Sequence, residues 1–197
     1  MIGFEIILFA LLFIGIYKYQ RNWKPVYPLF YTNGELIKIG HRGAPALAHE
    51  NTLASFTKAV ETGMNGVELD VQYSADKQLV VFHDWDLKTL NGSDKIIEKM
   101  PYSEIEKISL HDDDNNKIPL FREVLNVLSK KCIIVVEIKS AHFINTGIEK
   151  NVLDILNNYN FEQNCIISSF NPVILCRIQK LNPNILTAFL WSKTDPQ

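Results

Sequence analysis

Residues 66–71 read Gly-Val-Glu-Leu-Asp-Val, and residues 133–139 read Ile-Ile-Val-Val-Glu-Ile-Lys. Side chains along a β-strand alternate between its two faces. In the first stretch Val67, Leu69 and Val71 therefore share one face, and Glu68 and Asp70 share the other. In the second, Val136 and Ile138 lie opposite Glu137 and Lys139. Each is a strand with one apolar face and one charged face. If the apolar faces meet covering helices, the charged faces point inward, as in a barrel.

The rest of the chain fits this reading. Short apolar runs at 36–39, 66–71, 79–83, 133–138, 165–168 and 186–190 are strand candidates. Helical periodicity occupies several of the gaps. Residues 52–62 follow the cap-like Asn51 and place Leu53, Phe56, Ala59 and Val60 on one face. Residues 121–128 repeat the pattern with Phe121, Val124, Leu125 and Leu128. Residues 144–157 and 172–181 are further helices, the second opening with Pro172 in its first turn. Alternating strands and helices predict an α/β fold with parallel strands. Residues 84–117 interrupt it and read as an insertion after the third strand. The run His111–Asn116 there lacks the glycine and distal Glu of a calcium-binding EF-hand, so it reads as a solvated acidic loop.

Inward-facing carboxylates are costly unless compensated. Glu68, Asp70 and Glu137 supply the oxygen ligands that Mg²⁺ or Ca²⁺ prefers. The alternative is structural neutralisation by Arg42 and Lys139. Two histidines stand at matching points. His41 follows the first strand by one glycine, and His83 ends the third. Active sites of (β/α) barrels collect at the C-terminal ends of strands. His49, His111 and His142 have no such setting and read as surface or loop residues.

The chain has 197 residues, is 47% apolar and 21% charged, and carries a net charge of −2. That is an ordinary globular composition. No basic stripe or Arg-rich run argues for nucleic-acid binding. Cys132, Cys165 and Cys176 match no zinc pattern and form no even disulfide set. They read as reduced thiols, which favours a reducing compartment.

Residues 2–17, IGFEIILFALLFIGIY, hold Glu5 as their single charge. As a helix this run spans about 24 Å, a minimal crossing of a hydrocarbon core roughly 30 Å thick. No Lys or Arg precedes it and no small-residue cleavage site follows, so it reads as an uncleaved anchor rather than a signal peptide. Lys18, Arg21 and Lys24 follow the run. Positive flanks stay cytoplasmic, which predicts a single-pass protein with its main domain in the cytosol. Tyr17, Tyr19 and Trp23 suit the membrane–water interface. The predicted organisation is an anchor over 1–20, a linker over 21–35 with Pro25, Pro28, Asn33 and Gly34, and a barrel domain over 36–197.

These residues resemble the glycerophosphodiester phosphodiesterase family. The resemblance runs through Ile39-Gly40-His41-Arg42-Gly43, Glu50-Asn51-Thr52, Glu68-Leu69-Asp70, His83-Asp84, Asn91-Gly92, Ile118-Pro119, Glu137-Ile138-Lys139 and Ser168-Ser169-Phe170. It implies a TIM-type (β/α) barrel and metal-dependent hydrolysis of glycerophosphodiesters to sn-glycerol 3-phosphate and an alcohol. By the same resemblance, Glu68, Asp70 and Glu137 match metal ligands and Glu50 a nearby acidic position able to join them. His41 and His83 match an acid–base pair, Arg42 a phosphate-contacting arginine, and Lys139 a second phosphate-facing cation. Three departures stand out. His49 occupies the usual place of a proline, and Lys88-Thr89-Leu90 replaces an expected arginine. The strand count reaches about six of the eight a full barrel needs, which predicts an incomplete barrel and a truncated chain. Two other activities remain open at this point: a lysophospholipase D acting on lysophospholipids, and a membrane-anchored module without turnover.

Overall fold

The computed structural model describes residues 7, 9–15, 17, 36–110, 113–128 and 132–192. Its centre is a sheet of six strands: β1 (Ile39–Gly40), β2 (Gly66–Tyr73), β3 (Leu79–Val81), β8 (Ile133–Ile138), β9 (Cys165–Ser169) and β10 (Leu186–Phe189). The intervening β4 to β7 form two small hairpins, described below. Strands β1, β2, β8, β9 and β10 are parallel neighbours in that order. The α/β class is as expected, and so is the parallel sheet.

The six strands expected are present, but the direction of one needs correction. Five strands, not six, follow the parallel βα pattern. β3 pairs antiparallel with the far end of β2, through Val71↔Val81 and Tyr73↔Leu79. Val71 also pairs with Ile138 of β8, so β3 lies on the other side of β2. The cause is local. A parallel return needs a crossover of a dozen or more residues, whereas only residues 74–78 separate these two strands. That connection is a tight turn, with Lys77 at φ 61. Within it the Ser74 N–H donates to Gln78 O at 2.9 Å.

The predicted alternation holds. Val67, Leu69 and Val71 of β2, Ile134, Val136 and Ile138 of β8, and Ile167 of β9 are buried in one apolar core. Four helices cover that face, and each contributes residues to it. They are α1 (Leu53–Glu61) with Phe56 and Ala59, α4 (Phe121–Val127) with Phe121 and Val124, α5 (Ile148–Asn158) with Val152 and Leu156, and α6 (Pro172–Leu181) with Ile174 and Ile178. The short α2 (Lys88–Asn91) and α3 (Tyr102–Ile105) lie between β3 and α4. On the other face the register lines up Asp70, Glu137, Ser168 and Ala188 across four strands.

Two helix starts differ from the expectation. Thr52, not Asn51, caps α1, accepting from the Ser55 N–H. Helix α5 begins at Ile148 rather than 144, because Asn145 Oδ1 accepts from the Gly147 N–H and Gly147 sits at φ 85. The segment 84–117 is more than a loop. It forms hairpins β4 (Asp86–Leu87) with β5 (Ser93–Ile96) and β6 (Ser109–Leu110) with β7 (Asp113–Lys117). These enclose a second small core of Val80, Leu87, Ile97, Met100, Ile105, Leu110, Ile118 and Leu120. The described part of the expected acidic loop is thus strand β7.

The anchor expected over 1–20 and the linker over 21–35 lie largely outside the described residues. Residues 7, 9–15 and 17 are helical and exposed. Among the described residues no helix is long and apolar enough to cross a membrane.

Candidate active site

The loop leaving β1 carries His41 and Arg42, and two glycines shape it. A Cβ on Gly40 would lie 2.2 Å from the Gly43 carbonyl oxygen. Gly43 takes φ 93, and a Cβ there would meet Ser55 Oγ at 2.4 Å. That hydroxyl accepts from the Ala44 N–H at 2.8 Å and donates to the Arg42 carbonyl at 3.0 Å. The loop is thereby pinned to the first turns of α1, with Arg42 itself at φ 55.

Arg42 reaches three carboxylates. Its backbone N–H donates to Glu68 Oε2 at 3.0 Å, and its Nη1 donates to Glu50 Oε1 at 2.8 Å. Its Nε lies 3.4 Å from Asp70 Oδ2. Burial disfavours the guanidinium charge, but the hydrogen bond to Glu50 and the fields of Asp70, Glu50 and Glu68 outweigh it and raise the pKa.

Glu68, Asp70 and Glu137 converge as the alternation predicted. One oxygen from each lies within 4.8 Å of the others. Asp70 is buried and the other two half-buried. Burial first, and then Asp70, push the Glu68 carboxyl up to about 7. Burial likewise raises Glu137, against the pull of Lys139. Glu50 stands outside the group of three and faces the Arg42 guanidinium. Lys139, 5% exposed, sits 3.5 Å from Glu137 Oε1 and 4.0 Å from Asp70 Oδ1. Its ammonium also lies 5.5 Å from the centre of the Trp85 ring.

An open cavity of about 350 Å³ is lined by His41, Arg42, Glu68, His83, Glu137 and Ser168, with Val135, Phe170, Leu190 and Ser192. His41 Nε2 is 3.9 Å from Glu68 Oε2. His83 Nδ1 is hydrogen-bonded to Asp84 Oδ1 at 2.7 Å. Both expected histidines therefore reach one cavity with two of the three carboxylates. Lys139 lines a separate small cleft with Trp85, Gln72 and Glu98.

The roles of several site residues escaped the sequence reading. Asn51 donates to Asp70 Oδ2 at 2.9 Å, a contact between a loop residue and a strand residue that neither local pattern signals. Trp85 and Leu190 had no pattern to reveal them, and Phe170, a motif residue, had no sign that it would form an apolar wall of the cavity. Asp84 could have been found, since a carboxylate next to a strand-end histidine is placed to orient it.

Residues 41–197 match the glycerophosphoryl diester phosphodiesterase family. A glycerophosphodiester phosphodiesterase of Caldanaerobacter subterraneus subsp. tengcongensis is 35% identical over 161 residues, covering 79% of this chain and 66% of that protein. The chain thus spans just under two thirds of that relative. A lysophospholipase D of Homo sapiens is 30% identical over 162 residues, 77% of this chain and 50% of that one. A solved structure of an Oleispira antarctica phosphodiesterase, in complex with the product sn-glycerol-3-phosphate, superposes with a TM-score of 0.67 at 28% identity, over 82% of this chain and 68% of that one. Such likeness supports a TIM-barrel-like α/β fold for the parallel sheet and its helices. With the motif residues gathered around one cavity, the chain belongs to the glycerophosphoryl diester phosphodiesterase family.

Proposed function

We propose that this chain hydrolyses glycerophosphodiesters to sn-glycerol 3-phosphate and an alcohol, with a divalent cation, Mg²⁺ or Ca²⁺, at Glu68, Asp70 and Glu137. The convergence of these three carboxylates beside a cavity that also takes His41, Arg42 and His83 carries the reading. The residues suit such a cation. They offer hard oxygen donors, and Glu68 sits at about 7 because burial and Asp70 oppose its charge. A divalent charge relieves that opposition. When bound, the cation supplies Lewis-acid polarisation of a phosphoryl oxygen.

The protein's own groups supply the rest. Arg42 lines the cavity and adds positive charge against the developing phosphoryl charge. His41 takes the proton of the attacking oxygen, and His83 returns one to the departing alkoxide. Asp84 engages His83 Nδ1 and leaves Nε2 for that transfer. Lys139 balances Asp70 and Glu137 and, 3.5 Å from the cavity-lining Glu137, is the second cation beside the phosphate. Glu50 steadies Arg42. Residues 1–20 tether the domain to a membrane and 21–35 link it. Lys18, Arg21 and Lys24 after the apolar run support a cytoplasmic domain.

A second substrate class is a lysophospholipid. The likeness to a lysophospholipase D and the apolar Phe170 and Leu190 on the cavity wall favour it. One assay addresses both. The full chain, purified in detergent, is given glycerophosphocholine or lysophosphatidylcholine with Mg²⁺, Ca²⁺ or EDTA, beside Glu137→Ala. Glycerol 3-phosphate from the first substrate, lost in EDTA and in the variant, is expected. Lysophosphatidic acid from the second alone would shift the reading to the lysophospholipase. No product from folded protein would reduce the chain to a module without turnover.

A further inference from the structure

Asn51 sits beside the carboxylates without belonging to any acid–base or ligand set. It is 2% exposed and holds φ 55. Its Nδ2 donates to Asp70 Oδ2 at 2.9 Å, while its Oδ1 is buried without a hydrogen-bond partner among the described residues. The amide orientation follows from the network, because exchanging O and N would set two acceptors against each other. A left-handed backbone and an unsatisfied buried oxygen are both costs. Asparagine tolerates the first better than most residues, and the bond to Asp70 is what the position gains.

Arg42 Nε lies 3.4 Å from the same Asp70 oxygen, an ion-pair contact without a hydrogen bond. Arg42 and Asn51 are joined to each other, since the Asn51 N–H donates to the Arg42 carbonyl at 3.0 Å. Both therefore address Oδ2. The opposite oxygen, Oδ1, has Lys139 Nζ as its nearest cationic group at 4.0 Å, beyond hydrogen-bond length.

Resting on the proposed cation site, we infer that Asn51 is a positioning residue that locks the Asp70 carboxylate so that Oδ1 is left to the cation. Removing the lock frees the carboxylate to rotate and to spend either oxygen on Arg42 or Lys139. Outer partners of this kind typically set metal affinity by about 10- to 100-fold.

Calorimetric titration of the full chain in detergent with Mg²⁺ and with Ca²⁺ tests this without reference to turnover. Asn51→Gly removes the carboxamide and accepts the left-handed backbone. Its Kd is expected to rise about 10- to 100-fold while the near-ultraviolet circular dichroism stays native. Asn51→Ala removes the same group but resists the backbone. It is expected to melt at a lower temperature yet show the same Kd as Asn51→Gly. A Kd for Asn51→Gly within twofold of the unaltered chain overturns the inference. So does a weakening seen in Asn51→Ala alone, which would trace to backbone conformation. If the unaltered chain binds neither cation, the proposed cation site fails and this inference with it.

Discussion

Arg42 donates its backbone N–H to Oε2 of Glu68 at 3.0 Å across the mouth between β1 and β2. That bond stabilises the ionised form of Glu68, yet burial and Asp70 prevail and hold the carboxyl at about 7. Against the ordinary value of 4.5, the folded chain keeps a proton that the unfolded chain has released. Stability from this group is complete below 4.5 and is lost as pH rises toward 7. Glu137 moves in the same direction. The cation-free protein is expected to melt at a higher temperature at pH 5 than at pH 8, with Glu68 contributing on the order of 3 kcal/mol. Saturating Mg²⁺ at pH 8 should restore the difference. Melting curves in EDTA that rise from pH 5 to pH 8 would refute this.

The 2.7 Å bond between Asp84 and His83 Nδ1 fixes the ring in one orientation. Asp84→Asn retains the shape but loses the charged acceptor. We expect kcat to fall about 10- to 100-fold with KM within about twofold, because proton transfer suffers and substrate contacts do not. A change confined to KM would place Asp84 in binding instead.

Gly43 meets two constraints at once, φ 93 and a Cβ position 2.4 Å from Ser55 Oγ. Gly43→Ala should cost about 2–4 kcal/mol. The loop carrying His41 and Arg42 should also detach from α1. Urea unfolding reads the first effect as a lower midpoint with an unchanged slope. A midpoint equal to that of the parent chain would show that the loop yields freely.

The three thiols differ in access. Cys132 and Cys165 are buried and Cys176 is exposed. Burial raises Cys132 to about 11 and moves Cys165 further in the same direction. A thiolate-specific reagent at pH 8 should count one fast thiol in the folded chain and three after denaturation. Two or three fast thiols at the outset would contradict the packing around β8 and β9.

The sequence was most legible where one physical rule acted alone. Alternation along β2 and β8 placed Glu68, Asp70 and Glu137 on one face, and the structure brings them together. β3 misled because apolar alternation is the same in parallel and antiparallel strands. The short connection over 74–78 held the answer. Residues 84–117 were opaque because strands of two to five residues have no measurable period. Their core comes from apolar residues scattered singly, such as Leu87, Ile97 and Leu110. Asn51 and Thr52 are both good caps, and only the fold shows that Thr52 caps while Asn51 turns to Asp70.

The antiparallel return of β3 also bears on how the molecule assembles. It delivers His83 to the cavity through a five-residue turn instead of a crossover helix. As a result His41, Arg42, Asn51, Glu68, Asp70 and His83 all come from one continuous stretch. Contacts close in sequence cost little loop-closure entropy and form early. Glu137 on β8 and Lys139 just after its end arrive together, from far along the chain. Most of the polar cluster can therefore organise before the third carboxylate comes near. When β8 docks, it brings that added repulsion and, two residues on, the ammonium that offsets it.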